Sequence, residues 1–314
     1  MTKTELTYRI KSKALEIGFD KVGFAKADKV ASTSLLERWL TSGFHGTMKW
    51  MESYFDKRTD PRKLFPGARS VVSLALNYNT PHPIPNDPEI GKISRYAWGD
   101  DYHDIMKEKL RHLLREIQSL CPDAEGKSCV DTSPMMDKYW ATQAGIGWQG
   151  KHTNVITKEI GSWVFLGEII LNIDLDFDAP ISDFCGTCNR CIEACPTQAI
   201  TEPYVVDSNK CISYLTIEYR GEAFPKQVEH QFNNWIYGCD ICQDVCPWNI
   251  KFAETTSHEQ FFPRQNNLNR NLKDWESLSE DEFKNRFKKS PVKRTKYTGF
   301  VRNVKQVLSQ FRKF

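Results

Sequence analysis

Cys185-Gly-Thr-Cys188-Asn-Arg-Cys191-Ile-Glu-Ala-Cys195-Pro196 decides how this chain of 314 residues is read. In the spacing C-x2-C-x2-C-x3-C-P, three close thiolates hold one iron–sulfur cluster and the fourth, before proline, reaches across to a second. The complementary set follows as Cys211 and Cys239-x2-Cys242-x3-Cys246-Pro247, with the same ending but its leading cysteine displaced upstream. With four ligands per cubane, Cys185, Cys188, Cys191 and Cys246 fall to one [4Fe-4S] cluster. Cys195, Cys211, Cys239 and Cys242 fall to the other. Every ligand is used once.

Zinc sites favour two separated CxxC pairs or mixed Cys/His sets, and the triple run matches neither. Disulfides belong to oxidising compartments and core-poor chains. A chain of this length can bury a large core, and no signal peptide precedes the first helical pattern. Cys121 and Cys129 are left over and read as small buried hydrophobes.

With 40% hydrophobic and 26% charged residues, the composition is that of an ordinary soluble protein. The longest apolar run, Trp163–Leu171, is interrupted by Gly167 and Glu168 and is too short to span a bilayer. A cytoplasmic setting and no membrane contact are expected. Apolar spacing predicts helices over 4–17, 101–120 and 135–144, and strands over 21–24, 70–75, 128–131, 155–157 and 163–172. This gives an α+β domain over 1–178, a two-cluster module over 179–255 and a basic helical segment over 256–314.

The net charge of +3 hides an asymmetry. From Lys284 to the C-terminus there are eleven Lys or Arg and no acidic residue, leaving 32 basic against 40 acidic residues elsewhere. A basic end on an acidic body suits an anionic partner. Val301, Val304, Val307, Leu308 and Phe311 recur at helical spacing, so one face of this segment docks on the body. Lys305, Arg312 and the loop 288–296 stay free for phosphates.

Gly145-Ile-Gly147-Trp-Gln-Gly150 matches the dinucleotide fingerprint in letters only, because a helix precedes it and a strand follows. A P-loop reading fails at His152, where Ser or Thr is required. Asp131 ends an apolar strand before a turn marked by Pro134, which suits either a helix cap or an acid–base group. Asp137, beside Lys138, reads as half of a surface ion pair. His103 reads as a satisfied polar residue. The corrinoid pattern Asp-x-His-x-x-Gly is not met, since Met106 stands at the glycine position.

Val130-Asp131-Thr132, Ala144-Gly-Ile-Gly-Trp148 with Gly150-Lys151, the cysteine runs, Cys211-Ile-Ser-Tyr-Leu-Thr216, Ser290-Pro-Val-Lys-Arg294 and Arg302-Asn-Val304 together resemble the epoxyqueuosine reductases. The resemblance covers essentially the whole chain. It implies a nitroreductase-like or reductive-dehalogenase-like cobalamin domain with a mixed sheet, joined to a bacterial-ferredoxin-like module. It implies reduction of epoxyqueuosine to queuosine at the tRNA wobble position, with electrons passing from two [4Fe-4S] clusters to cobalamin and Asp131 giving a proton. Cobalamin contacts would fall on Arg58, Ser94, Asp131, His152 and Ser213. Contacts to tRNA would come from Arg220, Lys293, Arg294 and Lys296. An external low-potential electron donor and a monomeric enzyme are expected, without the helical repeats that some relatives append.

The chemistry agrees. Removing an epoxide oxygen as water takes two electrons and two protons, and iron–sulfur clusters deliver electrons singly at tunable potentials. Alkoxide leaves poorly, so a placed acid is needed. For Asp131 to be that acid, burial would have to raise its pKa. The alternatives are a cobalamin-dependent dehalogenase of small molecules and a ferredoxin-type electron-transfer adaptor.

Overall fold

The computed structural model describes residues 1–229, 231–264 and 267–310. Phe311 and Arg312, assigned above to the docked and free faces of the last helix, lie outside them.

A four-stranded sheet carries the N-terminal half. Its strands are β1 (Lys21–Lys26), β2 (Ser70–Asn77), β4 (Gly126–Cys129) and β5 (Val164–Leu171), in the order β1-β2-β5-β4. Here β3 denotes the short strand Lys92–Ile93, which lies outside this sheet. The α+β class stands, but the expected mixed sheet does not, because every pair in the four-stranded sheet is antiparallel. The excursion between β1 and β2 returns the chain to the end of the sheet where β1 stops, so β2 runs back along it. Residue alternation sets which face a strand buries but not its direction.

Helices α1 (Lys3–Glu16) and α2 (Tyr102–Leu120) cover one face. Leu6, Ile10 and Ala14 of α1 and Met106, Leu110, Leu113 and Ile117 of α2 meet Val72, Leu74 and Leu76 of β2 there. Each of the larger aliphatic side chains buried there stabilises the fold by roughly 1.5–3 kcal/mol. Helix α3 (Asp137–Gln143) covers the opposite face, with Trp140 and Ala141 against Ala75, Cys129 and Ile170. It lies so close that a Cβ on Gly23 would fall 1.9 Å from the Ala144 carbonyl oxygen. The alternation of the sheet aligns Gly23, Ser73, Glu168 and Cys129 across all four strands, under α3.

A second core draws on all three parts of the chain. Strand β6 (Trp235–Tyr237) pairs in parallel with β3. Helices α4 (Ile212–Ile217), α5 (Leu272–Glu276), α6 (Glu280–Arg286) and α7 (Lys296–Ser309) close over them. Trp98, Leu215, Trp275, Phe287, Phe300 and Val304 share this core. Val304, Val307 and Leu308 are buried while Lys305 is exposed, as the spacing predicts. Arg302 behaves differently. Its guanidinium donates to the carbonyls of Leu215, Tyr219 and Gly221 and lies over Phe224, so this positive charge is a clamp between segments.

Among the described residues no helix is long and apolar enough to cross a membrane.

Candidate active site and cluster-binding module

All ten cysteines are free thiols. Cys121 packs against the first core and Cys129 is buried under α3, as small hydrophobes do. The other eight separate into two neighbourhoods. The charge of Cys191 is coupled to Cys185, Cys246 and Cys188, and that of Cys242 to Cys211 and Cys195 most strongly. Cys239 is coupled to Cys242 and Cys211. One cavity of about 320 Å³ is lined by Cys195, Cys211, Cys239 and Cys242 together. Backbone N–H groups point at these sulfurs, that of Ala199 at Cys195 Sγ (3.2 Å) and those of Tyr214 and Ser213 at Cys211. Burial pushes the Cys239 and Cys242 thiols well above their ordinary range, so holding them as thiolates takes a cationic centre. This donor set fits two cubanes.

The glycine-rich segment serves this module. Gly145 turns the chain out of α3 at φ 68°, and Gly147 leaves room for the Ile156 carbonyl, 2.2 Å from where a Cβ would sit. Trp148 then packs with Cys246, Cys185 and Trp248. Lys151 Nζ donates to Gly186 O (2.8 Å) and Asn189 Oδ1 (3.0 Å), tying the segment to the first cysteine loop.

Ser94, His152 and Ser213 line the same cavity as the second cysteine set; Arg58 and Asp131 do not. Ser94 Oγ donates to Asp240 Oδ1, so its proton is already engaged. His152 is 4% exposed, and burial pushes its pKa down to about 4, leaving the ring neutral. Its Nδ1 accepts the Asn154 N–H (3.2 Å), so the ring proton sits on Nε2, which has no partner in the protein. Arg58 Nε is orphaned in the same way. Two buried donors without acceptors suit the polar side chains of a large ligand.

Asp131 caps no helix. Its Oδ2 accepts a hydrogen bond from Tyr102, and its Oδ1 lies 2.8 Å from His103 Nε2. On the far side of the imidazole, Nδ1 lies 2.6 Å from Oδ1 of Asp101, the residue that caps α2. Tyr102 stacks between His103 (4.1 Å) and Phe165 (4.2 Å), which fixes both rings. Crowding by protein would raise the Asp131 carboxyl, but the bonds from His103 and Tyr102 outweigh it and hold it below its ordinary value. This corrects the expected rise. His103 goes the other way: burial lowers it, yet its two carboxylate partners lift it to about 9.

Asp137 is no surface ion pair. Lys138 Nζ reaches Asn154 Oδ1 (2.9 Å), while Asp137 turns inward against Glu168, which is 0% exposed. Burial raises both carboxyls, Asp137 to about 6 and Glu168 well above its usual range. His103 and Glu168 are the groups that sequence reasoning passed over. The only signals were an acidic residue inside an apolar strand and a histidine two places after a helix-capping aspartate.

The cationic residues proposed for tRNA lie on one exposed side. Lys293 and Arg294 belong to a short 3-10 turn, Pro291–Thr295, and Lys296 begins α7. Arg220 Nη2 donates to Arg294 O (2.8 Å), while Arg294 forms a two-point pair with Glu218 (2.8 and 3.0 Å). The Asp131 charge acts on Arg294, so this basic edge borders the acidic site. The segment is not the free loop expected, because Pro291, Val292 and Thr295 are buried beneath it.

A family model described as epoxyqueuosine reductase QueG, DUF1730, matches residues 58–132. A second, the 4Fe-4S double cluster binding domain, matches 184–249. An epoxyqueuosine reductase of Leadbetterella byssophila is 50% identical over 296 residues, covering 94% of this chain and 96% of its own. The chain belongs to the epoxyqueuosine reductase family. The Cellulophaga algicola member is 46% identical, covering 96% of this chain and 98% of its own. Among solved structures, a family member with an epoxyqueuosine-modified tRNA-Tyr stem loop superposes with a TM-score of 0.91 at 34% identity, covering 98% of this chain and 82% of that one. A Bacillus subtilis member, its catalytic aspartate loop swung out of the active site, does so at 0.89 and 34% identity, with the same coverage. The dehalogenase and adaptor readings give way to an oxidoreductase of this family that carries a double [4Fe-4S] module.

Proposed function

We propose that this chain removes the epoxide oxygen from epoxyqueuosine in tRNA, with cobalamin bound between Asp131 and the Cys195–Cys211–Cys239–Cys242 cluster. The observation that carries the reading is the placement of that cysteine set in one cavity with Ser94, His152 and Ser213, on a chain half-identical to a named reductase. Cys185, Cys188, Cys191 and Cys246 hold the outer cluster. Cobalamin, when bound there, would supply a reducible and nucleophilic cobalt within reach of the cluster module. The chain's own residues do the rest. His152 Nε2–H and Arg58 Nε donate to the cofactor's polar groups, since the protein leaves both unpartnered. Asp131 delivers a proton to the epoxide oxygen, and Tyr102 keeps the carboxylate aimed. Two electrons and two protons convert the epoxide to an alkene and water.

The partner is a tRNA anticodon loop, where a base can be splayed out and read singly. A relative crystallised with a modified stem loop supports this. Lys293, Lys296 and Arg220 meet its phosphates, which makes binding salt-dependent. The three segments 1–178, 179–255 and 256–314 act as catalytic domain, electron module and basic edge of a monomer in the cytoplasm, and an outside low-potential donor feeds the outer cluster. Uptake of cobalamin by the purified chain tests the reading. Corrin absorption bands above the broad cluster absorption are expected, whereas cluster absorption alone would leave only an electron carrier.

A further inference from the structure

We propose that His103, held by Asp101, stores the proton that Asp131 delivers, so that Asp101, His103 and Asp131 form one relay ending at the epoxide oxygen. The inference rests on Asp131 being the proton donor.

The geometry specifies where the proton is. Both ring nitrogens of His103 face carboxylate oxygens, Nδ1 that of Asp101 at 2.6 Å and Nε2 that of Asp131 at 2.8 Å. Carboxylates only accept, and a neutral imidazole has one donor and one lone pair. A neutral ring would turn its lone pair toward one of the two oxygens; an imidazolium satisfies both. Other charges act here as well: Lys107 on Asp101, Arg294 on Asp131, and the buried carboxyls Asp137 and Glu168, both of which feel the Asp131 charge. Tyr102, stacked on the ring, gives its own hydrogen bond to the second oxygen of Asp131. The elevated proton affinity of His103 and the depressed one of Asp131 agree with this distribution.

Asp131 in this state has no proton of its own to give. As the carbon–oxygen bond breaks, the Nε2 proton passes to Asp131 Oδ1 and from Asp131 to the departing oxygen, leaving neutral His103 still bonded through Nδ1–H to Asp101. The reaction consumes two protons, so the relay reloads once per turnover. Asp101 lines a groove of about 510 Å³ together with Asp104, Glu108, Lys109, His112 and Lys289, which opens that side to solvent. His103 acts through Asp131 and is a positioning and proton-storing residue.

The test uses cofactor-loaded, pre-reduced enzyme and an epoxyqueuosine-containing stem loop in single turnover across pH. His103→Gln keeps a donor toward one carboxylate but cannot carry the proton. The expected result is a rate lowered about 10²-fold near neutral pH, unchanged stem-loop affinity, and partial recovery as pH falls and Asp131 itself protonates. Wild-type rate and pH profile in His103→Gln would overturn the relay. An Asp131→Asn enzyme of full activity would instead remove the donor assignment beneath it. Imidazole nitrogen NMR on the full chain gives a readout independent of turnover. His103 should titrate near 9, and markedly lower in Asp131→Asn. Titration at the ordinary histidine value in the wild type would overturn the proposal even if the glutamine variant failed to fold.

Discussion

Asp137 at the start of α3 turns inward against Glu168 at the centre of β5, and burial raises the proton affinity of both carboxyls. Glu168 lies opposite Cys129 on β4 and Ser73 on β2, fully buried. Both of its oxygens, and Asp137 Oδ1, lack any partner that can donate. Two buried carboxyls in contact cannot both ionise cheaply, so one stays protonated at neutral pH.

Stability should therefore depend on pH in a definite direction. The folded-state pKa values of this pair are raised, so its contribution is fully present below the unfolded carboxyl range, near pH 4, and is lost as pH rises through about 6 and beyond. At pH 8 the pair is therefore a net cost to stability. Glu168→Gln, whose amide can donate to Asp137, should raise the melting temperature at pH 8 and flatten the profile between about pH 5 and 8. A melting temperature lower than wild type at every pH would contradict the retained proton.

Cys211 lies well after Cys195 and far upstream of Cys239 and Cys242 in sequence, yet lines the same cavity as all three. Cys211→Ala should remove one cubane and spare the other, leaving roughly half the bound iron and an intact signal from the outer cluster. Full iron content, or loss of both clusters in a folded protein, would contradict the assignment.

Arg302 and Lys293 are both basic, but the fold uses them differently. Lys293 is exposed, so Lys293→Glu with Lys296→Glu should weaken stem-loop binding and reduce its salt dependence by about two phosphate contacts, with little change in melting temperature. Arg302→Met should unfold earlier, because three carbonyls that it satisfies lose their donor. Equal effects of the two changes on stability would refute this division.

The cysteine module was legible because metal ligation constrains spacing along the chain, and the double cluster-binding family model falls on the same run. The helices α1, α2 and α3 and the strands β2 and β5 were legible from periodicity. Strand direction was not, because a continuous buried run such as Val71–Leu76 reads the same either way along a sheet. The proton chemistry was hidden for a related reason. His103 and Asp131 are separated by the rest of α2 and a strand, and the cap at Asp101 together with the stacked Tyr102 holds the imidazole toward Asp131. Glu168 interrupts an apolar run, a signal that pointed to a special residue without naming its partner. The basic C-terminal count overstated the free charge, since Arg302 is spent on the core and Arg294 on Glu218.

The most direct test of the central claim is anaerobic conversion of epoxyqueuosine to queuosine in tRNA by the cluster- and cobalamin-loaded chain, with Asp131→Asn alongside. The account predicts queuosine from the wild type, and turnover reduced about 10²–10⁴-fold in a variant that keeps its clusters and cobalamin. No product from the loaded wild type, or undiminished product from Asp131→Asn, would contradict it.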